Sequence, residues 1–289
     1  MSVGIQKMER PPEIDSKMEV LASDFLAESP AAGLDSTLRL HSANGAFAHR
    51  QAMLRSCGVC PAYQLNLCGE IIQKVGTGDG RETPILLAST THRVPARHTI
   101  FHHKEWSEHV PFICSGWAAT SITLADGRRQ TLAFLLPGDV VSAASLFEPM
   151  SGRTVEAITE VEYRKFRRSE LKAVLLKNLD LMEKVFKIWS EERMQSDQMA
   201  LDLGRRTADE RIARLIVNIA DRLAKRGMRK GDSMEFPLRQ RHIADATGLT
   251  PVHVSKVVGE FQRAGLFEIR GRVLTIFDEL ELRRAAEWR

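Results

Sequence analysis

Residues 242–258 have the pattern of two short helices joined by a tight turn. Gly248 stands where the chain must reverse, and glycine reaches positive φ without steric cost. Thr250 then offers an N-cap, and Pro251 falls at the first helical position, where its missing N–H costs nothing. The apolar positions of the second helix recur at helical spacing: Val254, Val257 and Val258. The stretch therefore predicts a helix-turn-helix.

The outward positions of the second helix lie near its start: Thr250, Val252, His253, Ser255 and Lys256. Recognition helices offer this part of themselves to base edges in the major groove. We therefore expect the chain to bind double-stranded DNA, with Arg241 as a further DNA contact. The alternative is an ordinary helical hairpin with no nucleic-acid partner.

Two short β-rich runs within residues 266–276 flank Arg270-Gly271-Arg272. A hairpin after a recognition helix makes a winged helix, and Arg272 at the wing tip can reach a phosphate backbone. Upstream, Thr207 and Glu210 form a capping box that starts a new helix, which ends near Gly227. Residues 226–230 are expected to form a basic loop. The DNA-binding domain is thus predicted over residues 207–289.

Residues 169–206 have a helical period, with a dimerisation helix predicted over residues 179–206. A stripe follows the 4-3 spacing of a heptad seam: Met182, Phe186, Trp189, Arg193, Ser196, Ala200 and Leu203. Such a seam pairs helices from two chains, so a homodimer is expected. A second stripe, Leu181, Val185 and Ile188, is expected to face the protein's own core. The alternative is an amphipathic surface helix.

Residues 84–178 alternate short β-rich runs with turn signals, of which Asp126-Gly127 is a hairpin signal. This spacing predicts an antiparallel β-barrel or sandwich. The whole chain is therefore assigned to the α+β class.

Cys57, Cys60 and Cys68 follow a C-x2-C-x7-C spacing within residues 46–83, and Cys114 is the one cysteine elsewhere. Four cysteines in 289 residues are too few for a disulfide scaffold. Soft thiolates suit zinc or an iron–sulfur cluster, and Gly58, Pro61 and Gly69 are expected to allow the tight turns between them. The alternative is a set of unligated, partly buried thiols.

The overall composition fits a globular protein, with a net charge of +4 and a pI of about 8.9. There is neither an apolar run of about 20 residues nor a secretory signal, so no membrane partner is expected and the cytoplasm is the expected location. Residues 1–45 are expected to be a loosely structured extension, with one short helix over residues 17–27.

An enzymatic function is not expected, because the sequence has neither a glycine-rich phosphate loop nor a nucleophile–base arrangement. His102 and His103 are expected to be adjacent in a strand, where they would point to opposite faces and could not share a metal.

The order of cysteine cluster, β domain, long helix and winged helix resembles the Crp/Fnr superfamily of bacterial transcription regulators, closest to its Fnr-type branch. The resemblance covers roughly residues 56–277. It is carried by the cysteine stretch and by four further motifs, at residues 126–130, 136–139, 208–213 and 248–256.

The resemblance implies a cyclic-nucleotide-binding-like jelly roll and a homodimer on a palindromic operator, with RNA polymerase as partner if the protein is an activator. It also implies a [4Fe-4S] cluster on Cys57, Cys60 and Cys68. In the family's best-known oxygen sensors the fourth cysteine lies near the end of the barrel. Residues 159–163 here have none, so Cys114 is the internal candidate for fourth ligand.

Two further departures from the family limit the resemblance. Fnr-type recognition helices usually offer Glu, Ser and Arg where this chain has Val252, Ser255 and Lys256, so the operator differs. Cyclic-nucleotide binders carry a Gly-Glu about ten residues before an Arg and a small residue. Here Gly138-Asp139 lies too far before Arg153-Thr154, and no cyclic nucleotide is expected. The alternative function is a regulator without a cluster, responding to another effector or constitutively active.

Overall fold

We describe the fold from a computed structural model, which covers residues 67–76 and 89–286, with side chains of the first segment described through residue 72. The predicted extension over residues 1–45, its short helix, Cys57 and Cys60 all lie outside the described residues. No helix in the described segments has the length and apolar character needed to cross a membrane.

The strands of the N-terminal β domain form two antiparallel sheets, with orders β1-β7-β3 and β2-β6-β4-β5. Their bounds are β1 Ser89–Val94, β2 Thr99–Phe101, β3 His109–Ser115, β4 Ala118–Thr123, β5 Arg129–Leu135, β6 Thr154–Ala157 and β7 Val161–Arg167. The predicted hairpin at Asp126-Gly127 is confirmed, because β4 pairs with β5 across it and Gly127 has φ 85°. The predicted α+β class is confirmed, with an antiparallel β domain ahead of the helices. Of the two arrangements expected for that domain, the strands adopt the two-sheet one and do not close into a barrel.

Three helices and one 3₁₀ turn accompany these sheets: α1 Leu67–Gly76, the 3₁₀ turn Ala143–Leu146, α2 Arg168–Leu176 and α3 Leu179–Arg205. Helix α1 corrects the prediction of a turn at Gly69, which lies inside it. The helical stretch predicted from residue 169 onward is interrupted between α2 and α3, where Asn178 adopts extended backbone.

Helix α3 has two apolar faces, as its two stripes predict. Leu181 and Val185 are buried in a core with α1, α2 and the β domain, and Ile188 packs against that core, which confirms the second stripe. Phe186 and Trp189, on the other face, are 56% and 60% exposed. One face of α3 therefore belongs to its own chain, and the other is open to solvent.

The C-terminal domain, residues 207–286, begins with the predicted capping box: Thr207 and Glu210 bond each other's backbone N–H groups at the start of α4. Its elements are α4 Ala208–Lys225, β8 Arg229–Lys230, β9 Ser233–Glu235, α5 Gln240–Thr247, α6 Pro251–Arg263, β10 Phe267–Arg270, β11 Val273–Ile276 and α7 Glu279–Ala285. The prediction of a basic loop at residues 226–230 is wrong in part. Arg229 and Lys230 pair with β9, which extends the wing sheet to β10-β11-β9-β8.

The β domain and the C-terminal domain share one apolar core. Trp117 and Phe134 of the first join Phe236, Ile216 and other buried side chains of the second. Trp117 is fully buried, and its ring meets that of Phe236 edge-on at a centroid distance of 6.4 Å. Because the core crosses the domain boundary, the two domains pack as one unit.

Candidate DNA-binding interface

Helices α5 and α6 form the predicted helix-turn-helix. Gly248 has φ 68° and caps α5, so the predicted left-handed turn is confirmed. The Thr250 hydroxyl accepts a hydrogen bond from the His253 N–H at 3.2 Å, and Pro251 opens α6. The predicted inner face is buried: Val254, Val257 and Val258.

The residues expected to meet bases all lie exposed along the first turns of α6. Val252 is 81% exposed. The Ser255 hydroxyl accepts from Gln240 Nε2 at 3.1 Å, which ties the two helices together at their outer surface. Lys256 lies 4.0 Å from Glu260, too far for a strong ion pair, so its ammonium group is available to a partner.

Arg241 and Arg272, the two further residues expected to contact DNA, lie on different elements of this domain. Arg241 is in the first turn of α5 and exposed. Arg272 is at the tip of the wing between β10 and β11, where it adopts a left-handed φ of 66°. The structure therefore places a basic side chain on each of the two elements beside α6.

His242 is buried at the start of α5, where its ring supports the turn. Its Nδ1 lies 3.1 Å from the Arg239 N–H, one of the donors that a helix start leaves unpaired. Burial, followed by the charges of Arg241 and Arg129, lowers the pKa of His242 to about 4. The ring is therefore neutral near pH 7.

The sequence motif at residues 126–130 contacts the helix-turn-helix directly, which sequence reasoning missed. Arg129 on β5 bonds Asp245 of α5 at 3.1 Å and Glu156 of β6 at 2.5 Å. Gln130 Nε2 donates to the Ala246 carbonyl at 3.1 Å. The motif was recognisable as a family marker, but nothing in its spacing indicates that it reaches α5.

The motif at residues 136–139 makes the second polar contact between the domains. The Asp139 carboxylate accepts from Arg222 at 2.7 Å and also from Arg226, both at the end of α4. It accepts in addition from the Leu136 N–H at 2.8 Å. One half-buried carboxylate thus joins the β domain to α4.

Two of the four cysteines, Cys68 and Cys114, lie in the part of the chain that the structure describes. Cys68 lies in the first turn of α1, buried in the core that contains Leu181 and Val185 of α3. Cys114 lies on β3, and its Sγ is 3.8 Å from the Phe112 carbonyl oxygen. Within the described residues there is no group of three His, Cys, Asp or Glu side chains placed to hold a metal ion.

The predicted seam on α3 is exposed in its middle and covered at its ends. Phe186, Trp189, Arg193, Ser196 and Ala200 are exposed. Met182 packs against the N-terminal core, and Leu203 lies beside Gly248 of the helix-turn-helix.

The prediction that His102 and His103 lie within a strand is wrong. Both residues follow β2 in a turn. The His103 ring contacts the Gly152 carbonyl at 3.0 Å.

Two protein-family models match separate segments of this chain. Residues 91–178 match the cyclic nucleotide-binding domain, and residues 210–285 match the Crp-like helix-turn-helix domain. The transcriptional activator protein FnrA of Stutzerimonas stutzeri is 31% identical over 64% of this chain and 75% of its own length. The chain belongs to the Crp/Fnr family of transcription regulators. Members of this family are regulators, not enzymes.

Two further proteins are similar to this Crp/Fnr chain over nearly their whole length. The structure of FixK2 from Bradyrhizobium japonicum is 27% identical, with a TM-score of 0.62 over 69% of this chain and 98% of that one. A CRP-like cAMP-activated global transcriptional regulator of Mycobacterium tuberculosis is 26% identical over 75% of this chain and 99% of its own length.

Two glycines of this Crp/Fnr helix-turn-helix should respond oppositely to alanine. A Cβ at Gly248 would meet a left-handed φ and lie 2.9 Å from Leu203 Cδ2, so Gly248→Ala should lower the free energy of unfolding by about 1–2 kcal/mol. Gly259 lies inside α6 with open space around it, so Gly259→Ala should raise that free energy by about 0.5–1 kcal/mol. Urea unfolding measures both. An unchanged or higher free energy of unfolding in Gly248→Ala would show that the turn does not require glycine.

Proposed function

We propose that this chain is a sequence-specific transcription regulator that binds a palindromic operator as a homodimer, gated by an oxygen- or redox-sensitive iron–sulfur cluster. The observation that carries DNA binding is the exposed start of α6. There Val252, Ser255 and Lys256 face solvent, while the opposite face of the same helix is buried.

The chemistry of these side chains indicates what they would read. Lys256 and Ser255 can donate to base edges or nearby phosphates, with Thr250 and His253 beside them. Val252 offers no acceptor for cytosine N4, but its apolar surface suits a thymine methyl group. Arg241 and Arg272 would bind the phosphate backbone on either side.

The proposed DNA-reading role of α6 is tested by replacing its exposed polar side chains with alanine. Lys256→Ala should weaken binding to the selected operator by about 1–3 kcal/mol if Lys256 reads a base, and Ser255→Ala should shift sequence preference. Fluorescence anisotropy on operators selected from a random pool measures both effects.

Lys172→Ala is the matched control, since Lys172 is an exposed lysine on α2 and carries the same charge. If both α6 variants kept the wild-type affinity and sequence preference, α6 would not be the helix that reads DNA.

The homodimer proposal rests on the open face of α3. Two large apolar side chains, Phe186 and Trp189, face solvent there at heptad spacing. Arg193 pairs with Asp197 of the same helix at 3.1 Å, and polar side chains in a seam cost stability. We therefore expect a dimer that a signal can tune.

Trp189→Glu should convert the protein to monomers that no longer bind the palindrome, because a carboxylate replaces the largest apolar side chain of the seam. Sedimentation velocity at micromolar concentration measures the change. Trp106→Glu is the matched control, since Trp106 is 59% exposed but lies between β2 and β3 rather than on α3. If the Trp189→Glu variant remained dimeric, the proposed dimer seam on α3 would be wrong.

The cysteine residues fit an iron–sulfur cluster by their donor chemistry. The C-x2-C-x7-C spacing concentrates the soft sulfur ligands that iron–sulfur clusters take, and Cys68 lies in the first turn of α1. Cys57, Cys60 and Cys68 would hold the group, with Cys114 as the internal candidate for a fourth ligand. When bound, a [4Fe-4S] cluster supplies a redox- and oxygen-sensitive centre.

The chain's own residues connect the cysteine segment to the seam. Cys68 shares a buried core with Leu181 and Val185 of α3, and Glu70 of α1 pairs with Lys184 of the same helix. A change in the position of α1 would therefore act on α3, whose other face carries Phe186 and Trp189. The stability of the dimer would therefore depend on the position of α3.

The cluster is tested by anaerobic purification followed by iron and sulfide analysis. The wild type should contain both and absorb visible light, and Cys60→Ser should lose both together with the difference in DNA affinity between argon and air. If the wild type holds no iron and Cys60→Ser binds DNA as the wild type does under both gases, the second candidate stands: a regulator without a cluster.

A cyclic nucleotide is not proposed as the effector, although a relative is named cAMP-activated. In this chain the first N–H of the 3₁₀ turn, at Ala143, already donates to the Glu192 carboxylate of α3 at 2.8 Å. The second candidate therefore covers another effector or constitutive activity. If the regulator activates transcription, its further partner is RNA polymerase.

A further inference from the structure

The inner stripe of α3 continues into a charged residue. Leu181, Val185 and Ile188 follow one another at 4-3 spacing against the N-terminal core, and the next position of the same pattern is Glu192. A carboxylate that continues an apolar stripe toward a protein interior is costly unless it is hydrogen-bonded. Glu192 is half-buried there, so the partners of its carboxylate decide what the residue does.

Both carboxylate oxygens of Glu192 accept hydrogen bonds from the β domain. The Ala143 N–H donates to Oε1 at 2.8 Å, and the Ser142 hydroxyl donates to Oε2 at 3.2 Å. Both donor residues are buried, and Ala143 opens the 3₁₀ turn, whose first N–H groups have no partner within the turn itself. Removal of the carboxylate would therefore leave a buried N–H group unpaired, which costs more than the loss of an exposed contact.

The 3₁₀ turn is itself held by the β domain and by α2. Leu146, at the end of the turn, is buried in the same core as the inner stripe of α3. The Ser145 carbonyl accepts a hydrogen bond from Arg168 Nε at 3.0 Å, at the start of α2. Glu192 therefore bonds a turn whose position is already fixed by other contacts.

Glu192 lies midway along α3, where the helix passes from one domain to the other. The apolar contacts of α3 with the N-terminal core precede it, and farther along the helix Gln198 accepts a hydrogen bond from Arg214 of α4 at 2.6 Å. The seam residues Trp189 and Arg193 lie within one turn of it, on the open face. A helix that is held at a fourth position of one stripe resists rotation about its axis.

We propose that Glu192 is a positioning residue, whose carboxylate fastens the middle of α3 to the β domain and thereby sets the direction in which the dimer seam points. The first part concerns one chain alone, and the second part rests on the proposed homodimer. The anion in this contact belongs to the chain itself, so α3 docks on the turn without a bound anionic effector. Glu192 would then be the pivot for any movement that α1 imposes on the first half of α3.

Hydrogen–deuterium exchange of the full chain, followed by mass spectrometry, tests the contact directly. Glu192→Ala should raise the exchange rates of residues 141–147 and of the middle of α3 by about tenfold, because a charge-assisted hydrogen bond is lost. Glu192→Gln can still accept from the Ala143 N–H and should recover most of the protection. Glu191→Ala is the matched control, since Glu191 is an exposed carboxylate on α3 outside both stripes and undergoes the same change in helix propensity.

Sedimentation equilibrium of the same three variants tests the effect on the seam. Glu192→Ala should raise the dimer dissociation constant by about tenfold, Glu192→Gln should raise it less, and Glu191→Ala should leave it unchanged. The proposal is wrong if Glu192→Ala exchanges like Glu191→Ala, or if Glu192→Gln is as poorly protected as Glu192→Ala. Faster exchange with an unchanged dissociation constant would overturn the role in seam orientation. A monomeric wild type would refute the proposed homodimer alone, because the exchange measurement needs no dimer.

Discussion

The structure depends on a single apolar core that crosses the boundary between the β domain and the C-terminal domain. Trp117 and Phe236 meet at its centre, and polar contacts surround them: Asp139 with Arg222 and Arg226, and Arg129 with Asp245. Burial of large aromatic side chains supplies most of the stability of such a core, while the half-buried ion pairs fix its orientation. The position of α5, and with it the recognition helix α6, is therefore set by the β domain.

This arrangement gives the β domain two separate connections to the helix-turn-helix. The direct one runs through Arg129 and Gln130 to α5. The indirect one runs along α3, whose inner face packs in the N-terminal core and whose last turns reach Gly248 through Leu203. If the proposed gating operates, a change in the N-terminal segment would reach α5 and α6 by one of these two connections. The direct connection consists of polar contacts between neighbouring elements, whereas the indirect one spans the 27 residues of α3.

The sequence predicts the elements that local rules determine. The turn at Gly248, the cap at Thr250 and the capping box at Thr207 depend on backbone geometry and a few hydrogen bonds, so they are readable without tertiary structure. Helix α1 was missed because Gly69 and the nearby cysteines resemble turn and ligand signals, whereas burial of Ile71 and Ile72 against α3 stabilises a helix. The contacts of Arg129 and Asp139 join residues distant in sequence, and no spacing rule predicts them. For the same reason the sequence predicts an antiparallel barrel or sandwich without choosing between them, since closure depends on pairing between distant strands.

Through their shared core the two domains should form one cooperative unit. Differential scanning calorimetry of the full chain and of Trp117→Ala tests this most directly. The wild type should unfold in one transition, with calorimetric and van't Hoff enthalpies in agreement. Trp117→Ala should lose about 3–5 kcal/mol of stability and move the unfolding of both domains downward together. Two separate transitions in the wild type, or a variant in which only the β domain is destabilised, would contradict the account.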